Sequence, residues 1–193
     1  MPLTHPETMP VRRGNAQLTV ASVAGQSAVT SAFASNPLKL LTPRSRGQSV
    51  WACTSSFGGG FVAGDETHLD LELGKDARCF LGTQASTKVY RNPRHRACGH
   101  VTEAVLTENS LLVFAPDPVQ PFAGSSYRQR QTFHLGAGAG LALVDWFTSG
   151  RAACGERWAF DQFQSRNDVF LSGERIFMDS IRLDSAADSL ASP

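Results

Sequence analysis

Thr67-His68-Leu69-Asp70-Leu71-Glu72-Leu73 is the stretch whose reading decides the fold. Leu69, Leu71 and Leu73 alternate with His68, Asp70 and Glu72, the period-2 pattern of a strand with one buried face. Gly74-Lys75-Asp76 supplies turn chemistry, and Ala77 to Thr83 reads as a returning strand, so the unit is predicted to be a hairpin. The same grammar recurs in Ala104–Leu106, Thr107–Asn109, Ser110–Phe114 and again in Phe133–Leu135, Gly136–Gly138, Ala139–Val144. With Leu73, Leu106 and Leu135 as equivalent pre-turn positions, the spacings are 33 and 29 residues, in the range where supersecondary units stack into layers. A further alternating strand is predicted over Arg175–Leu183, with no cleanly apolar face, and one over Ala21–Phe33. Pro116-Asp117-Pro118-Val119-Gln120-Pro121 is predicted to be extended loop, because three prolines remove backbone donors. The expected fold is all-β: layered, coiled, β-helix-like sheets built from stacked hairpins, with few helices.

The bulk composition agrees with one globular domain over residues 1–193, with 184–193 expected as a disordered polar tail. Eighteen basic against seventeen acidic residues leave a net charge of +1, which offers no field for nucleic acid or an anionic membrane. The opening MPLTHPETMP has no apolar run of secretory length and no later stretch approaches a membrane span, so a cytoplasmic protein is expected. Cys53, Cys79, Cys98 and Cys154 form no CxxC pair and are expected to be small buried hydrophobes or idle thiols.

Three segments invite chemistry. Gly58-Gly59-Gly60-Phe61-Val62-Ala63-Gly64-Asp65 resembles a phosphate loop in its glycine content, but neither Gly-Lys-Ser/Thr nor a helix follows, so a structural turn or interaction loop is expected. Thr83-Gln84-Ala85-Ser86-Thr87-Lys88-Val89-Tyr90-Arg91 is a run of hydrogen-bonding side chains, readable as a solvated loop or as a recognition or transit surface. His95-Arg96-Ala97-Cys98-Gly99-His100 has ligands suited to nickel, zinc or copper, but the preceding Asn92-Pro93-Arg94 is a cationic turn and no acidic partner matches, so a surface loop is expected. Gly-x-Ser-x-Gly is absent, and no nucleophile has a recognisable base.

Taken in order, the glycine block, Leu71-Glu72-Leu73-Gly74 with Ala77, and Thr83 to Arg91 resemble the urease accessory protein D (or H) family. Pro116-Asp117-Pro118-Val119, Phe122, Tyr127-Arg128-Gln129, Asp145-Trp146, Ser149-Gly150-Arg151 and Gly155-Glu156-Arg157 continue the likeness. Phe61 and Ala63 depart from it mildly, at positions where leucine and glycine are commoner. The resemblance implies an all-β scaffold without catalytic activity and without a tightly bound cofactor. It further implies binding of apo-urease and of urease accessory protein F, with the GTPase urease accessory protein G bringing nickel that crosses an internal channel in transit. Asp65, Asp145 and Asp179 are the candidate carboxylates of that path, each with a turn or cap role as the alternative. Gly58, Gly59, Gly60, Gly64, Thr83, Gln84, Ser86, Thr87, Lys88, Tyr90, Arg91 and Glu156 are candidates for partner binding or for the path. Members continue beyond the strand matching Arg175–Leu183, so the chain is expected to lack the family's C-terminal part. The rival expectations are a β-solenoid interaction module with no metal role, an inactive truncated copy, and an enzyme using Cys98 and a histidine.

Overall fold

A computed structural model describes residues 13–45, 47–93 and 96–185. Its strands are β1 (Arg13–Val23), β2 (Gln26–Ala34), β3 (Leu38–Leu41), β4 (Val50–Ser56), β5 (Glu66–Leu73), β6 (Arg78–Thr83), β7 (Thr87–Val89), β8 (Cys98–Leu106), β9 (Leu111–Phe114), β10 (Val119–Pro121), β11 (Ser126–Leu135), β12 (Gly140–Leu143), β13 (Gln162–Leu171) and β14 (Glu174–Asp184). Among the described residues the only helical piece is a 3-10 turn, Ala152–Cys154. A seven-stranded sheet runs β14-β13-β11-β8-β5-β1-β2, a five-stranded sheet runs β12-β9-β6-β4-β3, and β7 pairs with β10 on a short third side. Successive coils therefore run through one strand of each sheet, and the inner strands of both large sheets are parallel.

The layered all-β architecture agrees with the sequence, but the repeating unit is an arch and not a hairpin. β5 hydrogen-bonds to β1 and β8, whereas β6 hydrogen-bonds to β4 and β9, so the two halves of the unit never pair with each other. The turns explain why. Each three-residue connection has one left-handed residue, Asp76 (φ 59°), Asn109 (φ 56°) or Gly138 (φ 69°), three positions after its pre-turn leucine. These are residue types that tolerate that region. The turns stack on one another, with Asp76 N donating to Glu108 O and Asn109 N to Ala137 O, both at 3.0 Å. Consecutive strands that do pair, antiparallel, lie at the sheet edges: β3–β4 across a longer connection, and β1–β2 and β13–β14 through the tight turns Ala24-Gly25 and Ser172-Gly173, each with two consecutive positive φ values. Two such residues make the primed turn that matches the twist of an antiparallel pair. Ala21–Phe33, expected as one strand, is thus split by a turn.

The repeat register holds to the residue: Leu73 pairs with Leu106, and Leu106 with Leu135. Pro116–Pro121 needs a partial correction, since Val119–Pro121 is a strand against β7. Proline is accommodated because the bonds to β7 on either side of it use other donors, Phe122 N to Val89 O and Thr87 N to Pro118 O. β14 is an edge strand, and leaves Ile176, Phe177 and Met178 about half exposed. Of the expected tail, Asp184 closes β14 and Ser185 N donates to Asp161 O; 186–193 lie outside the described residues.

Two apolar cores result. The larger fills the arch end between the sheets with Leu18, Leu71, Leu73, Leu81, Leu106, Leu112 and Phe133 among others. The smaller, aromatic one gathers Phe61, Val89, Cys98, Val119, Tyr127, Phe160 and Phe163 at the third side. Cys79 and Cys98 sit in these cores, where burial pushes both thiols up to about 12, while Cys154 is exposed. Because the thiolate is the reactive form, alkylation of the native protein at neutral pH is expected to modify Cys154 and spare Cys79 and Cys98, read by peptide mass spectrometry. Rapid labelling of Cys98 would contradict the packing.

Candidate functional site

Between the two cores lies a band that is polar and yet inside. Counting back from the pre-turn position of each coil, the residues eight before it are Asp65, Cys98, Tyr127 and Phe163. Those six before are Thr67, His100, Gln129 and Ser165, and those four before are Leu69, Thr102, Gln131 and Asn167. Parallel register places each set in one row across β5, β8, β11 and β13. All face inward, since alternate residues share a face. Thr67, Thr102, Gln129, Gln131, Ser165 and Asn167 are all buried.

Buried polar groups must find partners, and here they find each other. Gln131 Nε2 donates to Asn167 Oδ1 at 2.8 Å, and Tyr127 Oη to Gln129 Oε1 at 3.2 Å. The network converges on Asp145, in the segment after β12. Its carboxylate accepts from Gln129 Nε2 (2.7 Å), Ser165 Oγ (2.5 Å) and Asn167 Nδ2 (2.8 Å). Asp179 stands directly opposite Asn167 in the β13–β14 pair and continues the row onto the edge strand.

This band forms one wall of a cavity of about 100 Å³, room for several water molecules. His100, Gln129, Gln131 and Asp145 face it from the band; Gly59, Thr83, Ala85, Ser86, Thr87 and Asp117 approach from the other side. Thr83 Oγ1 donates to Asp117 Oδ2 at 3.0 Å and accepts from Asp117 N at 2.8 Å, which ties the β6 end to the proline segment. Ala85 is exposed, so this side is the cavity's rim. A larger hollow of about 440 Å³ lies on the far side of the same sheet, over Gly99, rimmed by Arg13, Arg128 and Arg130 with one carboxylate, Glu66, which pairs with Arg13. Its cationic rim disfavours a metal ion, so the smaller cavity, lined by carboxylates and neutral donors, is the candidate site.

The sequence candidates divide accordingly. Asp145, Gly59, Thr83, Ser86 and Thr87 border the cavity. Asp65 does not: it is buried, and its Oδ2 accepts from Val62 N at 3.0 Å, closing the turn that Gly64 (φ 84°) makes possible. Gly58 and Gly60 belong to the same loop, where Phe61 N donates to Lys88 O and Tyr90 N to Phe61 O. Gln84 and Lys88 are exposed near the rim. Tyr90 packs edge-on against Phe122 at 5.4 Å, and the Arg151 guanidinium lies 4.3 Å over the same ring. Glu156 pairs with Arg151 and accepts from Ala123 N at 3.2 Å, while Arg91 covers Gly124. Tyr90, Arg91 and Glu156 thus form an outer cluster on the third side, apart from the cavity.

The expectation of a surface loop over His95–His100 is corrected for Cys98 and His100. Both lie on β8 and point inward, because Cys98, His100, Thr102, Ala104 and Leu106 continue one alternation; His95 is outside the described residues. The His100 ring contacts Thr67 Oγ1 through Nδ1 (2.7 Å) and Thr102 Oγ1 through Nε2 (3.1 Å). The residue retains partial accessibility because it borders the cavity, yet desolvation, with a smaller push from His68, lowers its pKa to about 4. The imidazole is neutral at physiological pH. Since the folded value lies below the ordinary 6.5, this group's contribution is complete above pH 6.5 and lost as pH falls toward 4. Wild type is expected to lose about 2 kcal/mol more than His100→Gln over that window, less than the full shift because water reaches the cavity. Denaturant melts at pH 7 and pH 4.5 measure this, and parallel losses in both proteins would contradict it.

Among the described residues no three His, Cys, Asp or Glu side chains converge as a holding site for a metal, and no helix is long and apolar enough to cross a membrane. What the geometry defines is a layered β-scaffold with a carboxylate-bearing interior cavity. The sequence pattern of the UreD urease accessory protein family matches residues 12–193, and the chain belongs to that family. It is 46% identical over 182 residues to the urease accessory protein UreD of Sorangium cellulosum, covering 93% of this chain and 57% of that one. It is 38% identical over 173 residues to urease accessory protein D of Oryza sativa subsp. japonica (88% and 56%) and 37% identical over 173 residues to that of Arabidopsis thaliana (87% and 59%). The chain spans a little over half the length of these relatives.

Proposed function

We propose that the chain serves urease maturation as a non-catalytic scaffold that docks on apo-urease, meets accessory proteins F and G, and passes nickel through its interior cavity. The observation that carries this reading is the polar band between two apolar cores. A hydrophobic interior of this size would be more stable without it, because buried polar groups at best offset their desolvation. A cavity with separated carboxylates suits a cation in passage: hard oxygen donors lower the cost of a divalent ion in a poorly solvated interior, and too few converge to retain it. Among the described residues Asp117 at the rim and Asp145 within are the carboxylates on the cavity; Asp179 extends the row toward the edge strand. The outer cluster of Tyr90, Arg91 and Glu156 and the exposed Gln84 and Lys88 are the candidates for protein contact.

The test is reconstituted urease activation at limiting nickel, scored with complex formation in the same samples. Asp117→Asn is expected to reduce activation while complexes persist, and Lys88→Glu to weaken the complexes. Unchanged activation in Asp117→Asn combined with Asp179→Asn would favour the rival reading, an interaction module without a metal role.

A further inference from the structure

The outer face of the seven-stranded sheet, turned away from the cavity, bears the hollow of about 440 Å³ over Gly99. In register Gly99 lies between Glu66 of β5 and Arg128 of β11, and two residues on, Val101 lies between His68 and Arg130. Gly99 alone among these has no side chain. A Cβ built there would meet only Arg128 O, at 3.0 Å, with open space beyond. The hollow is thus a notch with Val101 on its floor and guanidinium groups on its wall.

The arginines of this face differ in how they are satisfied. Arg13, Arg166 and Arg182 pair with Glu66, Asp168 and Asp184, and His68 contacts Asp70. Arg128 and Arg130 are exposed, and neither has an ion pair or a side-chain hydrogen bond among the described residues. Arg130 also stands directly beside Arg166 in register, and like charges in a cross-strand pair destabilise a sheet. The arrangement costs stability and satisfies neither guanidinium, so their counter-charge comes from outside the chain.

We propose that this notch docks an extended acidic segment of a partner protein, whose carboxylates two residues apart are held by Arg128 and Arg130. Alternate residues along a strand are about 6.6 Å apart. The two guanidiniums therefore repeat at the spacing of carboxylates at alternate positions of an extended chain. Each planar fork matches a carboxylate through two parallel hydrogen bonds. The missing side chain at Gly99 lets the segment come close to the sheet, while Glu66 and Asp70 along β5 repel its acids and confine them to the β11 side. Since the notch and the cavity lie on opposite faces of the sheet, docking leaves the interior open. The inference rests on the chain being a scaffold for other proteins, and not on conduction through the cavity.

The experiment uses the full chain, ¹⁵N-labelled, with the capped peptide Gly-Glu-Ser-Glu-Gly as probe and its glutamine analogue and inorganic phosphate as comparisons. The acidic peptide is expected to shift the Arg128 and Arg130 Nε–H signals and the Gly99 amide, with a Kd on the order of 1 mM at low salt. The affinity falls several-fold when salt is raised to about 0.3 M, and the glutamine peptide leaves the signals unchanged. Arg128→Gln combined with Arg130→Gln, at two exposed positions, is expected to melt as wild type does and to weaken peptide binding by about tenfold. Complexes with apo-urease and with accessory proteins F and G are measured in parallel, and at least one is expected to weaken by a similar factor in the double variant. Shifts spread equally over every exposed arginine overturn the proposal, as do signals that answer to phosphate and not to the peptide, which would make the notch a small-anion site. Complexes that all form undiminished in the double variant overturn it too. If the wild-type chain forms none of these complexes yet binds the peptide at the notch, the urease-maturation reading fails and the docking chemistry stands.

Discussion

Gly60→Ala is expected to be among the most damaging single substitutions in the protein, at about 3 kcal/mol, the upper end of what overpacking costs. Gly60 is needed for space and not for its dihedral angles. A Cβ there would lie 2.5 Å from Lys88 O, 2.8 Å from Tyr90 Cε2 and 2.9 Å from Lys88 Cβ. The carbonyl it strikes accepts the 2.8 Å bond from Phe61 N, which joins the glycine loop to β7. Pushing them apart unseats residues 83–91 from the cavity rim and opens the aromatic core at Phe61 and Val89. Gly58→Ala is the control: its φ of 85° strains an L-residue, but nothing lies within 4 Å of the new atom, so a loss of about 1 kcal/mol is expected. Denaturant melts of both variants decide the matter, and equal losses would show that the loop tolerates the approach.

Asp145→Ala is expected to cost about 3 kcal/mol, because it strands three donors at once: Gln129 Nε2, Ser165 Oγ and Asn167 Nδ2. Each buried group left without a partner costs about 1–3 kcal/mol, and cavity water satisfies part of that need. Asp145→Asn should lose less but still measurably, since its amide would face the Asn167 amide donor. An alanine at this position therefore cannot separate transit from architecture; the same carboxylate organises the band and faces the cavity. Melts of Asp145→Ala within about 0.5 kcal/mol of wild type would contradict the network.

The strand pattern was legible because period-2 alternation is a local property, and Leu73, Leu106 and Leu135 do align in space. Whether a strand–turn–strand unit closes as a hairpin or an arch depends on where its backbone bonds go, which alternation does not encode. The number of positive-φ residues in the turn carries that information: two at Ala24-Gly25 and Ser172-Gly173, one at Asp76, Asn109 and Gly138. Asp145 was legible through its family block. Its partners were not, because Gln129, Ser165 and Asn167 each look like ordinary polar strand residues until the coils are aligned on their pre-turn positions. Done that way, a polar residue six places before the turn recurs in every coil as Thr67, His100, Gln129 and Ser165. Asp65 too stands in a family block, but its Oδ2 accepts from Val62 N and it does not line the cavity, a placement that depends on how the glycine loop folds back.

The central claim is that the cavity conducts. Its most direct test fills the space without touching the hydrogen-bond network, by placing tryptophan at Ala85 or Ser86 on the rim. The indole's position is checked by crystallography, and the variants, here and at the equivalent positions of a longer relative, are assayed for urease activation at limiting nickel and for complex formation in parallel. The expected result is intact complexes with activation reduced by about tenfold or more, on the scale of other metal-site disruptions. Wild-type activation by a variant whose indole is seen to fill the cavity would contradict the account.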